Sequence, residues 1–242
     1  MKPITVLLAD DHAIVRQGLR RLLETGGDIR VVGEAADGRQ AVLETRRLRP
    51  EVVLLDLAMP LLNGVEAARQ IAHEVPRTKV LILSSYNDGH HFRQAVEAGV
   101  AGYVIKETAG DNLLEAIRAA ASGSAFFSPS MLKHLVKPPE EGAVNGHSAP
   151  TLSRRQAEVL QLIAEGYGTK QIAVMLSISV KTAERHRQTL MDRLKIHKVP
   201  DLTRYAVSSG VIESNRIPGW PVSVVAVGVI TPVAVRGKAV VT

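Results

Sequence analysis

Asp56 ends the run VVLLD, residues 52–56, in which every other residue is valine or leucine. A carboxylate there is costly to bury unless it is paired, metal-bound or set at the open end of a strand. Other residues with chemistry recur at comparable places: Asp10 and Asp11 after the run 5–9, Ser84 after 79–83, and Lys106 after 102–105. Taken singly, each has an ordinary explanation. Asp56 can cap the turn before Pro60, Asp11 can cap a helix starting near Ala13, Ser84 can open the turn in SSYND, and Lys106 can be a solvated lysine. If the runs are parallel strands, however, all of these residues meet at one sheet edge, where ligands bind. Three carboxylates suit a hard cation, and Mg2+ prefers one or two carboxylates with waters and phosphate oxygens. Beside such a cation Asp56 would stay ionised and act as a nucleophile toward phosphorus. Lys106 would neutralise charge on the transferring group, and the Ser84 hydroxyl would donate to one of its oxygens.

The elements around these residues supply that sheet. Five strand-like runs, 5–9, 31–35, 52–56, 79–83 and 102–105, alternate with helical patterns. In HAIVRQGLRRLLET the spacing predicts one face made of Ile14, Gly18, Leu19, Leu22 and Leu23. DNLLEAIRAAASG ends at Gly123, a residue type favoured just past a helix. The alternation predicts an α/β fold, a doubly wound five-stranded parallel sheet. KPPEEGAVNGHSAP, residues 137–150, reads as a flexible linker. From Leu152 the pattern is helical only, and from Ile217 it turns valine-dense with internal prolines, suiting either short strands or an unstructured segment.

Composition narrows the class. Of 242 residues, 45% are hydrophobic and 22% charged, which is ordinary globular material. Cysteine is absent, excluding disulfides, thiolate metal sites and cysteine nucleophiles. MKPITVLLADD lacks the apolar core of a signal peptide, and no apolar run is long enough to span a bilayer, so a cytoplasmic protein without membrane contact is expected. Residues 1–125 carry 15 Lys and Arg against 16 Asp and Glu, whereas residues 151–214 carry 10 against 6. A basic back half predicts a polyanionic partner.

In that back half Ser153 and Gln156 form a capping-box pattern, Gly166 closes the first helix, Thr169 can cap the next, and Ser179 a longer one. Along the longer helix Val180, Ala183, Leu190, Met191 and Leu194 make the predicted apolar stripe. Lys181, Glu184, Arg185 and Gln188 line another face. Two helices joined by a tight turn, the second with a polar and basic face, suit a helix-turn-helix whose second helix enters the major groove. A plain amphipathic helix in a small bundle has the same pattern.

The residues carry two resemblances. LLADDHAIVRQGLRRLL, VVLLDLAMPLLNG, VLILSSYND and AGYVIKE, in this order across residues 2–125, resemble the receiver domain of two-component response regulators. The resemblance implies a flavodoxin-like sheet with Asp56 as phosphoacceptor. It implies that Asp10 and Asp11 position Mg2+ together with Asp56 and the carbonyl of Ala58. Ser84 would be the switch hydroxyl, Lys106 the phosphate-pairing lysine, and Tyr103 the aromatic that turns inward on activation. Tyr103 suits an ordinary half-buried strand position equally well. Leu61 is a departure, because many receivers have glycine in this loop.

EVLQLIAEGYGTKQIAVMLSISVKTAERHRQTLMDRLKI resembles the DNA-binding domain of the LuxR/FixJ (NarL-type) family over residues 152–212. This implies an all-α four-helix module whose third helix reads double-stranded DNA and whose fourth, near 201–209, supports a homodimer. By position, Glu184, Arg185 and Gln188 would contact bases. Lys181, Thr182, His186 and Arg187 would contact the phosphate backbone, with Lys170 adding a contact from the scaffold helix. His186 also suits packing against the preceding helix.

The expected division is a receiver at 1–125, a linker at 126–150, a helix-turn-helix domain at 151–214 and an extension of unknown role at 215–242. The expected function is that of a response regulator rather than an enzyme. A sensor histidine kinase would phosphorylate Asp56 and so control sequence-specific DNA binding, transcription and dimerisation. The linker is long enough for the receiver to cover the recognition helix until phosphorylation. The alternative is a DNA-binding regulator that acts independently of phosphorylation. An aspartyl phosphohydrolase would be expected to carry a second aspartate two positions after Asp56, where Ala58 stands.

Overall fold

The computed structural model describes residues 2–136 and 152–212; the 137–150 segment and the 215–242 extension lie outside the described residues. In the first half, β1 (Ile4–Ala9), β2 (Ile29–Ala35), β3 (Val52–Asp56), β4 (Lys79–Ser84) and β5 (Gly102–Ile105) alternate with α1 (Ala13–Glu24), α2 (Gly38–Leu48), α3 (Gly64–Glu74), α4 (Gly89–Glu97) and α5 (Ala109–Ala121). They are followed by β6 (Phe126–Phe127) and α6 (Pro129–Val136). All strand pairings are parallel, in the order β2-β1-β3-β4-β5-β6.

Strand residues alternate between two buried faces, which is why the strands read as continuous apolar runs. Leu7, Val53, Leu55, Ile82 and Tyr103 pack with α2, α3 and α4, while Val6, Leu8, Leu54, Leu81 and Val104 pack with α5 and the inner face of α1. Side-chain caps start several helices: Asp37 accepts from Gln40 N, Asn63 from Glu66 N, and Asp88 from His90 N and His91 N.

The sheet has six strands where the sequence predicts five. The added strand lies at residues assigned to the linker. Two residues carry no usable period, but Phe126 N donates to Ala101 O (3.0 Å) and Ser128 N to Tyr103 O (3.0 Å), extending the sheet beyond β5. Phe126 and Phe127 then take opposite faces of the sheet, and Met131 of α6 is fully buried beside α4. The predicted face of α1 also needs correction. Leu19, Leu22 and Leu23 pack inward, whereas Ile14 is 85% exposed.

The second half comprises α7 (Arg154–Ala164), α8 (Thr169–Met175), α9 (Val180–Leu194) and α10 (Val199–Ser208). The Ser153–Gln156 capping box forms, and Ser179 caps α9 by accepting from Thr182 N. Gly168, not Thr169, is the N-cap of α8. Ala183, Leu190 and Met191 of α9 are buried against Leu160, Ile172 and Leu202, with Leu194 packed at the margin. Val180, predicted in that stripe, is exposed in the first turn, before the helix reaches its neighbours. No helix among the described residues is long and apolar enough to cross a membrane.

Candidate functional site

The carboxyl ends of β1, β3 and β5 bring Asp10, Asp11, Asp56 and Lys106 together. Asp10 and Asp56 are buried, and Lys106 Nζ lies 2.8 Å from Asp10 Oδ2 and 3.1 Å from Asp56 Oδ1. Burial works to lower the Lys106 pKa, but the Asp56 and Asp10 carboxylates outweigh it and hold the ammonium above the ordinary lysine value. Oxygen atoms of Asp10, Asp11 and Asp56 and a ring nitrogen of His12 all lie within 4.8 Å of one another. The three carboxylates of this set fit a hard divalent cation, which takes oxygen ligands. His12 adds a group that the sequence reading omits; its Nδ1 is 3.0 Å from Asp11 Oδ1 and 3.3 Å from Asp10 Oδ1. The DDH run was its signal. Backbone bonds fix Asp10, since His12 N donates to Oδ1 (2.8 Å) and Arg16 Nη1 to its carbonyl (2.7 Å).

Ser84 is fully buried at the end of β4, and its Oγ accepts from Tyr86 N at 2.9 Å. Tyr103 is fully buried rather than half-buried, and its hydroxyl donates to Tyr86 O at 3.0 Å. Burial pushes the Tyr103 phenol well above its usual pKa, with the Ser84 hydroxyl working the other way. Tyr86 thus joins the predicted switch hydroxyl to the predicted switch aromatic, and its ring stacks on His91 at 4.3 Å. Position alone gives Tyr86 no signal.

The loop from β3 to α3 carries Ala58 and closes where Gly64 N donates to Leu57 O at 2.8 Å. A Cβ at Gly64 would collide with the Asp56 carbonyl, so only glycine lets α3 start this close to the acidic site. Leu61, at the crest, has φ +65, a left-handed conformation costing about 1–2 kcal/mol for a residue with a Cβ. The second half of the chain grips this crest. Gln161 Nε2 donates to Met59 O (2.9 Å), Asn63 N donates to Gln161 Oε1 (2.8 Å), and Leu61 N donates to the Glu165 carboxylate (3.1 and 3.2 Å). The Leu61 side chain packs against the helix-turn-helix core. Arg39 of α2 donates to Met175 O (2.5 Å), and Gly210, past α10, rests against the His91 ring.

Among the described residues, the receiver half therefore touches α7, the end of α8 and the end of α10, and leaves the outer face of α9 uncovered. On α9, Lys181, Thr182, Glu184, Arg185 and Gln188 are exposed, while His186 and Arg187 are half-buried. Lys170 is exposed on α8. Arg187 Nη1 reaches Thr169 Oγ1 (3.3 Å), Thr182 shares a hydroxyl bond with Ser179 (2.8 Å), and Gln188 bonds Asp192 (2.9 Å). The outward row of Lys181, Glu184, Arg185 and Gln188 is the surface a major groove can accept.

Two family models match: "Response regulator receiver domain" over residues 6–118 and "Bacterial regulatory proteins, luxR family" over residues 150–206. The oxygen regulatory protein NreC of Staphylococcus epidermidis is 35% identical over 215 residues, spanning 86% of this chain and 99% of that protein. The RcsB response regulator of Salmonella typhimurium is similar in structure, with a TM-score of 0.59 and 28% identity over 86% of this chain and 99% of that one. A structure of an RcsB–DNA complex matches with a TM-score of 0.53, again at 28% identity and covering 86% of this chain and 99% of that one.

Proposed function

The chain belongs to the two-component response regulators with a LuxR-type DNA-binding domain, and on that premise we propose that phosphorylation of Asp56 controls its binding to DNA. The observation that carries this reading is the convergence of Asp10, Asp11, Asp56 and Lys106 at one end of the sheet.

A sensor histidine kinase is the proposed donor. An Asp56 carboxylate oxygen attacks phosphorus; the P–O bond forms as the donor's P–N bond breaks, and the electron pair leaves with the imidazole. Asp10, Asp11 and Asp56, with the Ala58 carbonyl, would hold Mg2+, which when bound supplies charge neutralisation at the phosphoryl oxygens. Lys106, already beside Asp56, supplies a second positive charge there. Ser84 donates to a phosphoryl oxygen once its hydroxyl turns toward Asp56. That turn disturbs the bond from Tyr86 N, and Tyr86 links it to Tyr103. The receiver is proposed to run to Val136, so that strand β6 and helix α6 belong to it rather than to the linker, and the helix-turn-helix domain to begin at 151. Catalysis of an independent reaction has no part in this reading.

On the DNA side, Glu184, Arg185 and Gln188 are proposed to read bases. Arginine pairs well with guanine and glutamine with adenine. Lys181, Thr182, Arg187, His186 and Lys170 are proposed to position the helix on phosphates. A homodimer formed through α10 would match a two-fold operator.

A second reading, DNA binding without phosphorylation, draws support from the exposed face of α9. One experiment separates the two. The protein and its Asp56→Asn variant are incubated with Mg2+ and a small phosphodonor, followed by intact mass, then offered a pool of random duplex DNA. Phosphorylation confined to the wild type, with DNA binding strengthened alongside it, supports the switch. Equal DNA binding with and without phosphorylation would leave the second reading.

A further inference from the structure

The β3–α3 loop is held from outside its own domain. Between Leu57 and Gly64 the chain makes a closed loop, and three of its backbone groups are bonded from outside: Met59 O and Asn63 N to Gln161 of α7, and Leu61 N to Glu165, the residue that caps the end of α7. Gln161 does this from both sides of the crest; it is buried, and its Nε2 is braced by Glu165 Oε1 at 2.8 Å. Arg39 adds a bond from Nε to Leu61 O at 3.4 Å while reaching the end of α8. Leu61 keeps its left-handed conformation with its side chain against the DNA-binding core. Ala58 lies between Asp56 and Met59, one residue from a carbonyl that Gln161 grips.

We propose that Gln161 and Glu165 of the DNA-binding domain are positioning residues for the receiver's acidic site. Docked α7 holds the β3–α3 loop, and with it the Ala58 carbonyl, in the shape that accepts a divalent cation. This rests on the reading of Asp10, Asp11, Asp56 and Ala58 as a Mg2+ site. A ligand carried on a loop already fixed at three backbone atoms loses less freedom on binding than one on a loose loop. Coupling between two sites is reciprocal, so Mg2+ must strengthen docking by the factor by which docking strengthens Mg2+ binding. The leucine at 61 serves this contact. Glycine would relax the loop but remove the side chain that anchors it to the other domain.

The test uses the full chain and two readouts. Hydrogen exchange at the Leu61 and Asn63 amides reports docking directly, with Mg2+ alone as the ligand. The Mg2+ concentration giving half-maximal phosphorylation of Asp56 by a small phosphodonor reports the site. In the wild type both amides are expected to be protected, and more so with Mg2+. In Gln161→Ala and Glu165→Ala that protection falls, and the half-maximal Mg2+ concentration rises by about tenfold, the lower end for groups that orient metal ligands. Glu165→Gln keeps an acceptor and should behave nearly as the wild type. Leu61→Gly, on the opposite side of the contact, should reproduce the alanine variants without touching α7, while the Leu190 amide stays protected and shows the helical domain folded.

Variants that lose amide protection yet phosphorylate at unchanged or lower Mg2+ would overturn the proposal. So would wild-type amides indifferent to Mg2+. A wild type that takes Mg2+ but no phosphoryl group would instead count against Asp56 as phosphoacceptor, and the exchange readout would still decide the positioning role.

Discussion

The Lys106 ammonium lies 3.1 Å from the Asp56 carboxylate, across the end of β4 from it, and shares its charge with Asp10. The lysine therefore neutralises two buried carboxylates that would otherwise repel each other. In Lys106→Met this neutralisation is lost. Phosphorylation of Asp56 is expected to slow by about 10²-fold, the size seen when one preorganised charge donor is removed. The same variant should have a lower thermal midpoint, and Mg2+ should raise that midpoint more than in the wild type. An equal response to Mg2+ in both proteins would show that the cation does not take over the lysine's task. Because the Lys106 pKa is raised on folding, its contribution is complete below the unfolded value of 10.5 and is lost as pH rises through the folded value.

Tyr103→Phe removes the hydroxyl that donates to Tyr86 O and interacts with the Ser84 hydroxyl, and keeps the edge contact with Phe92, whose ring centroid is 5.5 Å away. The expected cost is about 1 kcal/mol in denaturant unfolding of the receiver, the net value of one such bond. If Tyr86 transmits the state of Ser84, the gain in DNA binding on phosphorylation should shrink in this variant while labelling of Asp56 persists.

The two kinds of contact proposed for α9 predict different losses. Lys181→Ala should weaken binding to all duplexes alike and lower the salt slope by about one, as loss of a single phosphate contact does. Arg185→Ala should cost about 1–3 kcal/mol on the preferred sequence and much less on others. Competition titrations at several salt concentrations measure both. A uniform loss for Arg185→Ala would move that residue to the phosphate group.

Asp88 caps α4 and bonds His91 Nδ1 at 2.7 Å. Its burial works to raise the pKa, but the His91 and backbone bonds overcome that and lower it from 3.8 to about 2. A lowered carboxylate pKa gives stability that is present above the unfolded value and lost as pH falls through the folded one. The difference in thermal midpoint between the wild type and Asp88→Asn, which can still cap the helix, should therefore shrink as pH falls from 3.8 toward about 2. A difference that stays unchanged through this window would assign the effect to capping rather than charge.

What the sequence determined alone was whatever local pattern encodes. Alternation of apolar runs with helical periods fixed the parallel sheet, and strand ends fixed which residues share its edge, because parallel strands all present their carboxyl ends on one side. Caps at Ser153 and Ser179 and the buried Ala183, Leu190 and Met191 likewise followed from spacing within a single helix. Ile14 and Val180 escaped the same logic, since a helix's first turn can project beyond the elements it packs on. Strand β6 escaped it because two residues have no period.

Only the tertiary structure decided the rest. Tyr86 became a link because Ser84 and Tyr103, 19 residues apart, both bond to its backbone. Leu61 looked like a departure at a glycine position, and its reason lay with Glu165 and Gln161, roughly a hundred residues further on. Contacts at that separation depend on how two folded units meet, and no spacing within either unit records it.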